Sequence, residues 1–528
     1  MKLRSSRLQQ RETSFPDLDV TAPFESFDDN SAMSKALRNP LVLDIILGQL
    51  NNSDLRAARL VCREWGDVGA GLLGNRTFLP VNKLFRCDGS RLYQVTPVHE
   101  KLTRGIRILD RFDPSVPTKR TDDVITKVFT ELSSTLAQVT REIEFHVSLK
   151  KFEAAFLHGL RTLKSTQIQQ ISILVTSRNA NVDKDRVQAL RKLPLQKNLT
   201  SLKFQTSQHV LYGTSGIHAF QPLLKVLIDS APTLTTLEVT ASFYPSLEGC
   251  RNLQVLKFLF VNCTNAHAAC PKFNMAAVTS MLTSVKDSLI KLELGYADGH
   301  AHGFYYPVNI QGRDLDLPVM TNLTSLVLNA PSEYLIHNFF DEGHFPKLKN
   351  LSFKNYYLGL TQFSTHINLW KPHRGVQSFT LTTRSYCQPG DKFGEEIIRL
   401  FPTAKKLELR LNPCNYCVQE FIESFEPWGL EEIKLIVESE NIAAGMAGIL
   451  RIFASFNGVK SVHFQDTIIN QVDFSDYIQD IILHSRGFKN VEISGLVVPE
   501  MVDVFRPIFE ASGAPVDFKG GVYRNYSN

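Results

Sequence analysis

One short apolar pattern recurs along most of this chain, and no other feature restricts the possible folds as strongly. It places apolar residues at i, i+3 and i+5, followed by polar or turn residues. Clear copies read NLTSLKF (198–204), TLTTLEV (233–239), NLQVLKF (252–258), SLIKLEL (288–294), NLTSLVL (322–328), KLKNLSF (347–353), GVQSFTL (375–381), TAKKLEL (403–409), GLEEIKL (429–435), GVKSVHF (458–464) and GFKNVEI (487–493). Weaker copies lie at QIQQISI (167–173), around Ile143 and Phe145, and around Ile106 and Ile108. The central apolar residues are Ile106, Ile143, Ile171, Leu202, Leu237, Leu256, Leu292, Leu326, Leu351, Phe379, Leu407, Ile433, Val462 and Val491, and from Leu326 onward the spacing settles at 25 to 29 residues.

The i+3 and i+5 positions fall on one face of a short strand, whereas the segments between copies carry helical spacing. Val418, Phe421, Ile422 and Phe425 form one such set, and Tyr477, Ile478, Ile481 and Ile482 another. A strand followed by a helix at a fixed period predicts an α/β solenoid, with parallel strands inside and helices outside. An ordinary α/β domain does not repeat one motif so often. The pattern is similar to that of leucine-rich repeats, L-x-x-L-x-L-x-x-N/C-x-L over 20–29 residues. This resemblance covers roughly residues 100–500 and implies a horseshoe. Few copies keep the Asn or Cys of the family's ladder position, Asn262 and Cys263 coming nearest, and three upstream intervals reach 35 to 37 residues.

The remaining composition limits the alternatives. With 43% apolar and 21% charged residues in 528, most of the chain is expected to fold. A formal charge of +5 over this length is too weak to point to nucleic acid or an anionic membrane, so a protein partner is expected. Eight cysteines without a regular framework read as reduced thiols. The first thirty residues carry no apolar signal-peptide core and no later stretch is long and apolar enough to span a bilayer, which points to the cytoplasm, the nucleus or both. The seven Asn-x-Ser/Thr sequons read accordingly as coincidences of composition.

Upstream of the repeats, residues 39–73 (NPLVLDIILGQLNNSDLRAARLVCREWGDVGAGLL) follow a different grammar. Pro40 suits a first helical turn, after which Leu43, Ile46, Leu47 and Leu50 form one stripe. Asn51 to Ser53 stop that helix, and Ser53 or Asn52 is expected to cap the next, which leads through Leu55 and Ala58 to Val61, Cys62 and Trp65. Three short helices in so few residues are expected to leave apolar surface for a partner or a neighbouring domain.

This segment resembles the F-box, through Pro40 and the apolar helix after it, Asp54-Leu55, Ala58 and above all Val61-Cys62-x-x-Trp65. The family usually begins Leu-Pro, where this chain has Asn39-Pro40. The resemblance implies a three-helix F-box followed by a leucine-rich-repeat solenoid, the arrangement of substrate receptors in SCF-type cullin-RING ubiquitin ligases. Implied adaptor-binding residues are Pro40, Leu43, Ile46, Leu47, Leu50, Leu55, Val61, Cys62 and Trp65. The implied partners are a Skp-type adaptor and, through it, a cullin-RING ligase, with an unknown protein substrate. The expected layout is 1–36 flexible, 37–75 F-box, 76–99 linker or cap, 100–510 repeats and 511–528 tail. The competing reading makes the helical segment a hydrophobic cap on a free-standing repeat scaffold or inhibitor.

Nothing in the sequence argues for catalysis, a metal or a cofactor. Cys414-x-x-Cys417 lacks a second pair of ligands, and Asp298, His300 and His302 sit in a glycine-rich stretch without helical spacing. On the solvent face of the strands the composition is polar with both signs of charge. Lys354, Lys406, Glu408, Arg410 and Lys434 are the candidate substrate contacts, Arg410 with Lys406 being the nearest approach to a basic cluster.

Overall fold

A computed structural model describes residues 32–88, 91–94, 100–109, 125–130, 140–147, 152–163, 167–176, 190–206, 217–261, 274–297, 317–329, 340–355, 370–383, 393–411, 418–437, 442–468, 471–496 and 499–520. The chain divides into two compact units, Met1–Arg76 and Thr77–Asn528.

The described part of the first unit is helical: α1 (Ala32–Arg38), α2 (Pro40–Gly48), α3 (Asn52–Ala58) and α4 (Arg63–Arg76). Pro40 occupies the first turn of α2, and Asn39 Oδ1 accepts the Leu41 N–H at 3.0 Å. The cap of α3 is Asn51, not the expected Asn52 or Ser53. Its Oδ1 accepts the N–H groups of Ser53 and Asp54 at 2.8 and 3.0 Å, and its Nδ2 donates to Asp54 at 2.6 Å. Asn51 serves better because it leaves both orphan N–H groups of the first turn within reach of one oxygen. Arg76, at the far end of α4, donates to the carbonyls of Leu50 and Gly48 and so satisfies the end of α2.

In the second unit, sixteen strands form one sheet in which every pair is parallel. They are β1 (Leu79–Pro80), β4 (Gly105–Leu109), β5 (Glu142–Val147), β6 (Gln170–Val175), β7 (Ser201–Thr206), β8 (Thr236–Ala241), β9 (Val255–Phe260), β10 (Lys291–Tyr296), β11 (Ser325–Asn329), β12 (Asn350–Asn355), β13 (Ser378–Thr383), β14 (Lys406–Leu411), β15 (Glu432–Val437), β16 (Ser461–Ile468), β17 (Asn490–Leu496) and β18 (Val516–Gly520). A separate hairpin pairs β2 (Phe85–Asp88) with β3 (Arg91–Gln94). Apart from that hairpin, the strands stack in chain order, as a repeat solenoid requires.

All fourteen central residues of the repeated motif stand in one register row, from Ile106 beside Ile143 to Val462 beside Val491, and all are buried. A second buried row two residues further on runs from Ile108 and Phe145 to Phe464 and Ile493. The residues before each strand supply a third regularity. The Arg104 carbonyl accepts from the N–H groups of both Arg141 and Glu142, the Arg141 carbonyl from Gln169 and Gln170, and the same two-to-one step repeats to Lys460 with Lys489 and Asn490. Each turn is thereby tied to the preceding one, and the backbone groups that a short strand leaves unpaired find partners.

The sheet begins in the 76–99 stretch expected as linker or cap and ends within the expected tail 511–528. Leu79 and Val516 extend the first buried row, but their copies carry Arg76 and Gly513 where the motif needs its first apolar residue. Both edges are blunted: β1 is two residues long and ends in Pro80, and β18 presents Asp517 and Lys519. Between sheet and helices, aromatic side chains fill the wider gaps. Phe340 stacks on Trp370 at 4.9 Å, Phe379 on Phe401 at 5.4 Å and Phe425 on Trp428 at 5.9 Å, and Trp428 Nε1 donates to the Phe401 carbonyl at 2.9 Å. Buried His373 donates through Nε2 to the Phe345 carbonyl (3.0 Å) and accepts the Gly375 N–H on Nδ1 (3.1 Å), which fixes one neutral tautomer.

Candidate interaction surfaces

The helical unit buries more of itself than its length suggests. Leu43 and Leu47 of α2 are fully enclosed, as are Leu55 of α3 and Ala70 of α4, with Leu73 nearly so. The three helices expected in 39–73 are α2, α3 and α4, and the fourteen-residue α4 covers the stripes of the other two, whereas α1 lies largely in the stretch expected to be flexible. Leu43, Leu47 and Leu55 are therefore core residues of the helical unit. Each buried leucine contributes roughly 1.5–3 kcal/mol. Trp65 is half-buried, and its Nε1 donates to the Leu37 carbonyl at 3.1 Å, pinning α1 against α4. Leu50 is also half-buried, whereas Pro40 and Cys62 are exposed.

The apolar surface that remains has a different membership. Leu41 is 76% exposed, Ile45 70%, Ile46 40%, Leu60 87% and Val61 65%. Of the predicted contacts only Ile46 and Val61 belong to this set, while Leu41, Ile45 and Leu60 were missed. The signal was present in the sequence: α2 reads PLVLDIILG, apolar nearly all round, so a single inward stripe cannot account for all its apolar residues.

On the solenoid, the solvent side of the sheet carries a ladder of charges of alternating sign. Between the two buried rows runs the series Arg107, Glu144, Ser172, Lys203, Glu238, Lys257, Glu293, Val327, Ser352, Thr380, Glu408, Lys434, His463, Glu492 and Asp517. Neighbours pair: Arg107 with Glu144 at 2.9 Å, Lys203 with Glu238 at 3.4 Å, Lys257 with Glu293 at 3.2 Å, Lys434 with Glu408 at 3.6 Å and His463 with Glu492 at 3.7 Å. Burial works against ionisation of Glu144, but hydrogen bonds from His146 (2.5 Å) and Arg107 outweigh it and hold the carboxyl below its ordinary range.

Glu293 is the hub of the ladder. Its Oε1 lies 3.1 Å from Lys354 Nζ and 3.2 Å from Lys257 Nζ, and it accepts from Asn329 Nδ2 at 3.0 Å. Burial again opposes the charge, and Lys354, Asn329 and Lys257 together keep the carboxyl below its usual value. Gly295 makes the arrangement possible. Its φ is +146°, and a Cβ there would stand 2.3 Å from the Asn329 carbonyl oxygen, so only glycine lets β11 come this close.

Four of the five predicted substrate contacts are engaged within the sheet: Lys354 with Glu293, Lys406 with Glu432 at 2.6 Å, and Glu408 with Lys434. Exposed pairs of this kind contribute at most about 1 kcal/mol each, so their main effect is to neutralise the face. Arg410, the fifth, makes no ion pair among the described residues. Further along the strands Thr240 and Thr382 are buried, as is Asn329 at the C-terminal end of β11. Between the charged stretches, β11 to β13 present Ser325, Val327, Asn350, Ser352, Ser378 and Thr380, a largely uncharged window with Lys354, paired to Glu293, at its edge. Sequence reasoning missed this window because it searched for charges.

Among the described residues, no group of three or more His, Cys, Asp or Glu side chains is placed to hold a metal, and no helix is long and apolar enough to cross a membrane. Asp298, His300, His302, Cys414 and Cys417 lie outside the described residues, as does the expected flexible segment up to residue 31.

No protein-family model matches the chain, and no curated protein matches it. Among solved structures it is similar to the leucine-rich repeat-containing protein LegL7 from Legionella pneumophila, at 10% identity and a TM-score of 0.30, over 77% of this chain and 98% of that one. So loose a superposition carries no argument. The class rests on the molecule's own ladder: an α/β repeat solenoid of parallel strands, resembling leucine-rich-repeat proteins.

Proposed function

We propose that this chain is the non-catalytic substrate-recognition subunit of an SCF-type ubiquitin ligase, its helical unit binding a Skp-type adaptor and its solenoid a protein substrate. The observation that carries the reading is the exposed apolar set Leu41, Ile45, Ile46, Leu60 and Val61 on a helical unit with a core of its own, directly upstream of a repeat array. Interface energy concentrates in a few such side chains, and a patch of this kind without a partner is a liability. The motif Val61-Cys62-x-x-Trp65 after Asp54-Leu55 adds the F-box resemblance. In this role the chain needs no acid, base or nucleophile, because it acts by raising the effective concentration of substrate lysines near a charged conjugating enzyme. The substrate's centre of contact is assigned to the largely uncharged window on β11 to β13, where the one cation, Lys354, is already paired with Glu293, since interface cores are depleted of charge. The reading places the protein in the cytoplasm or nucleus.

The test is capture of a purified Skp-type adaptor by the full chain. Ile45→Ser with Leu60→Ser should abolish capture while melting stays within about 1 kcal/mol of wild type, exposed positions being tolerant. Undiminished capture by the double variant would sink the assignment, and so would failure of the wild type to bind any such adaptor.

A further inference from the structure

The exposed apolar patch has a cation fixed at its border. Arg59 closes α3 and directly precedes Leu60 and Val61. Its stem lies in a notch on α4 made by two glycines one turn apart. A Cβ at Gly69 would stand 2.5 Å from Arg59 Cγ, and one at Gly66 would stand 3.2 Å from the Arg59 carbonyl oxygen. Arg59 Nε is closed off from solvent and has no hydrogen-bond partner, and no carboxylate pairs with the guanidinium among the described residues. Of the two acidic residues five positions away along the chain, Asp54 accepts from Asn51, and Glu64 is engaged elsewhere. A hydrogen bond from its own backbone N–H, helped by Cys62, keeps its carboxyl below the ordinary value, with Arg38 and Arg63 as the cations around it.

A charged group that is half-enclosed and unpaired is costly to hold, because the donors it turns away from water gain nothing in return. The glycine notch also removes most of the freedom of a side chain that would otherwise lose it on binding. Arg56 and Arg63 flank the exposed Leu60 and Val61 in the chain, and Arg63 lies near Glu64.

We propose that Arg59 is a specificity-determining residue of the adaptor surface, held ready by Gly66 and Gly69 to pair with a carboxylate that borders an apolar groove on the partner. The inference rests on the adaptor-binding reading above. It adds the requirement that the partner be acidic at the edge of its groove, which the apolar residues alone do not impose. A guanidinium positioned before binding gives its charge-assisted hydrogen bonds to the complex at little entropic cost.

The experiment measures the affinity of the full chain for a purified Skp-type adaptor by titration calorimetry at low and high salt. Arg59→Met keeps the apolar stem in the notch and removes the charge. Its affinity should fall about tenfold at low salt, and the salt dependence of the wild type should flatten. Gly69→Ala, which leaves the charge in place but displaces the stem, should also weaken binding, with the helical content of the unit retained by circular dichroism. If the wild type binds and Arg59→Met binds equally well with the same salt dependence, the inference is overturned and the adaptor reading stands. If the wild type does not bind, both fall.

Discussion

The two units solve the same problem, covering apolar side chains, with opposite remainders. In the solenoid each inward residue of the motif is buried by the next repeat, and the solvent face is neutralised by its own pairs, from Arg107 with Glu144 to His463 with Glu492. In the helical unit the core closes around Leu43, Leu47 and Leu55, yet Leu41, Ile45, Leu60 and Val61 stay in water. Repetition supplies a neighbour for every apolar row, whereas a unit of some forty described residues has more apolar side chains than interior. The proposal of an adaptor therefore rests on the uncovered set and not on the solvent face of the sheet.

The sharpest way to break the comparison is to place a charge in the solenoid's buried row. Leu351→Asp should cost several kcal/mol unless the site opens to water. Because repeats pack on their neighbours, hydrogen exchange should rise around residues 320–410 and leave β5 and the helices at 40–70 protected. Uniform loss along the chain would mean that the sheet does not behave as a repeat array. Protection unchanged at 320–410 would mean that Leu351 does not face inward.

A smaller effect separates inside from outside in the helical unit. Leu47→Ala should cost about 2–5 kcal/mol, through lost burial and the cavity left behind. Leu60→Ala should change stability by less than about 0.5 kcal/mol. Equal effects on the melting of that unit would show that the division between core and surface drawn from α2 to α4 is wrong.

The smallest expected effect concerns the charge ladder. Glu293 has a folded pKa below its reference value of 4.5, so its contribution is fully present above that value and is lost as pH falls through the lower, folded one. Glu293→Gln should be less stable than wild type at neutral pH by on the order of 1 kcal/mol. The gap should close on acidification below that reference value. A gap independent of pH would mean that Glu293 contributes shape and not charge.

Much of the solenoid was legible because its signal is local and repeated. The fourteen motif centres chosen by spacing stand in one register row, since a parallel sheet with a fixed period leaves each copy one way to align. The end strands escaped for an equally local reason, Arg76 and Gly513 replacing the first apolar residue. The helical unit was less legible. A stripe at i, i+3, i+4 and i+7 reports that a helix has an apolar side but not which helix covers it, and α4, with four glycines among fourteen residues, carries little apolar periodicity that would mark it as the cover.

By itself, then, the sequence determined the repeat, its strand positions, the inward rows and the presence of a distinct helical segment ahead of them, because each follows from spacing within a few residues. Only the tertiary structure decided which leucines of α2 are core and which are surface, that Lys354, Lys406, Glu408 and Lys434 are spent on partners up to 61 residues away, that Gly295 lets Asn329 reach Glu293, and that Gly69 makes room for Arg59. Those outcomes depend on distances between segments remote in the chain, and a one-dimensional pattern carries no such distances.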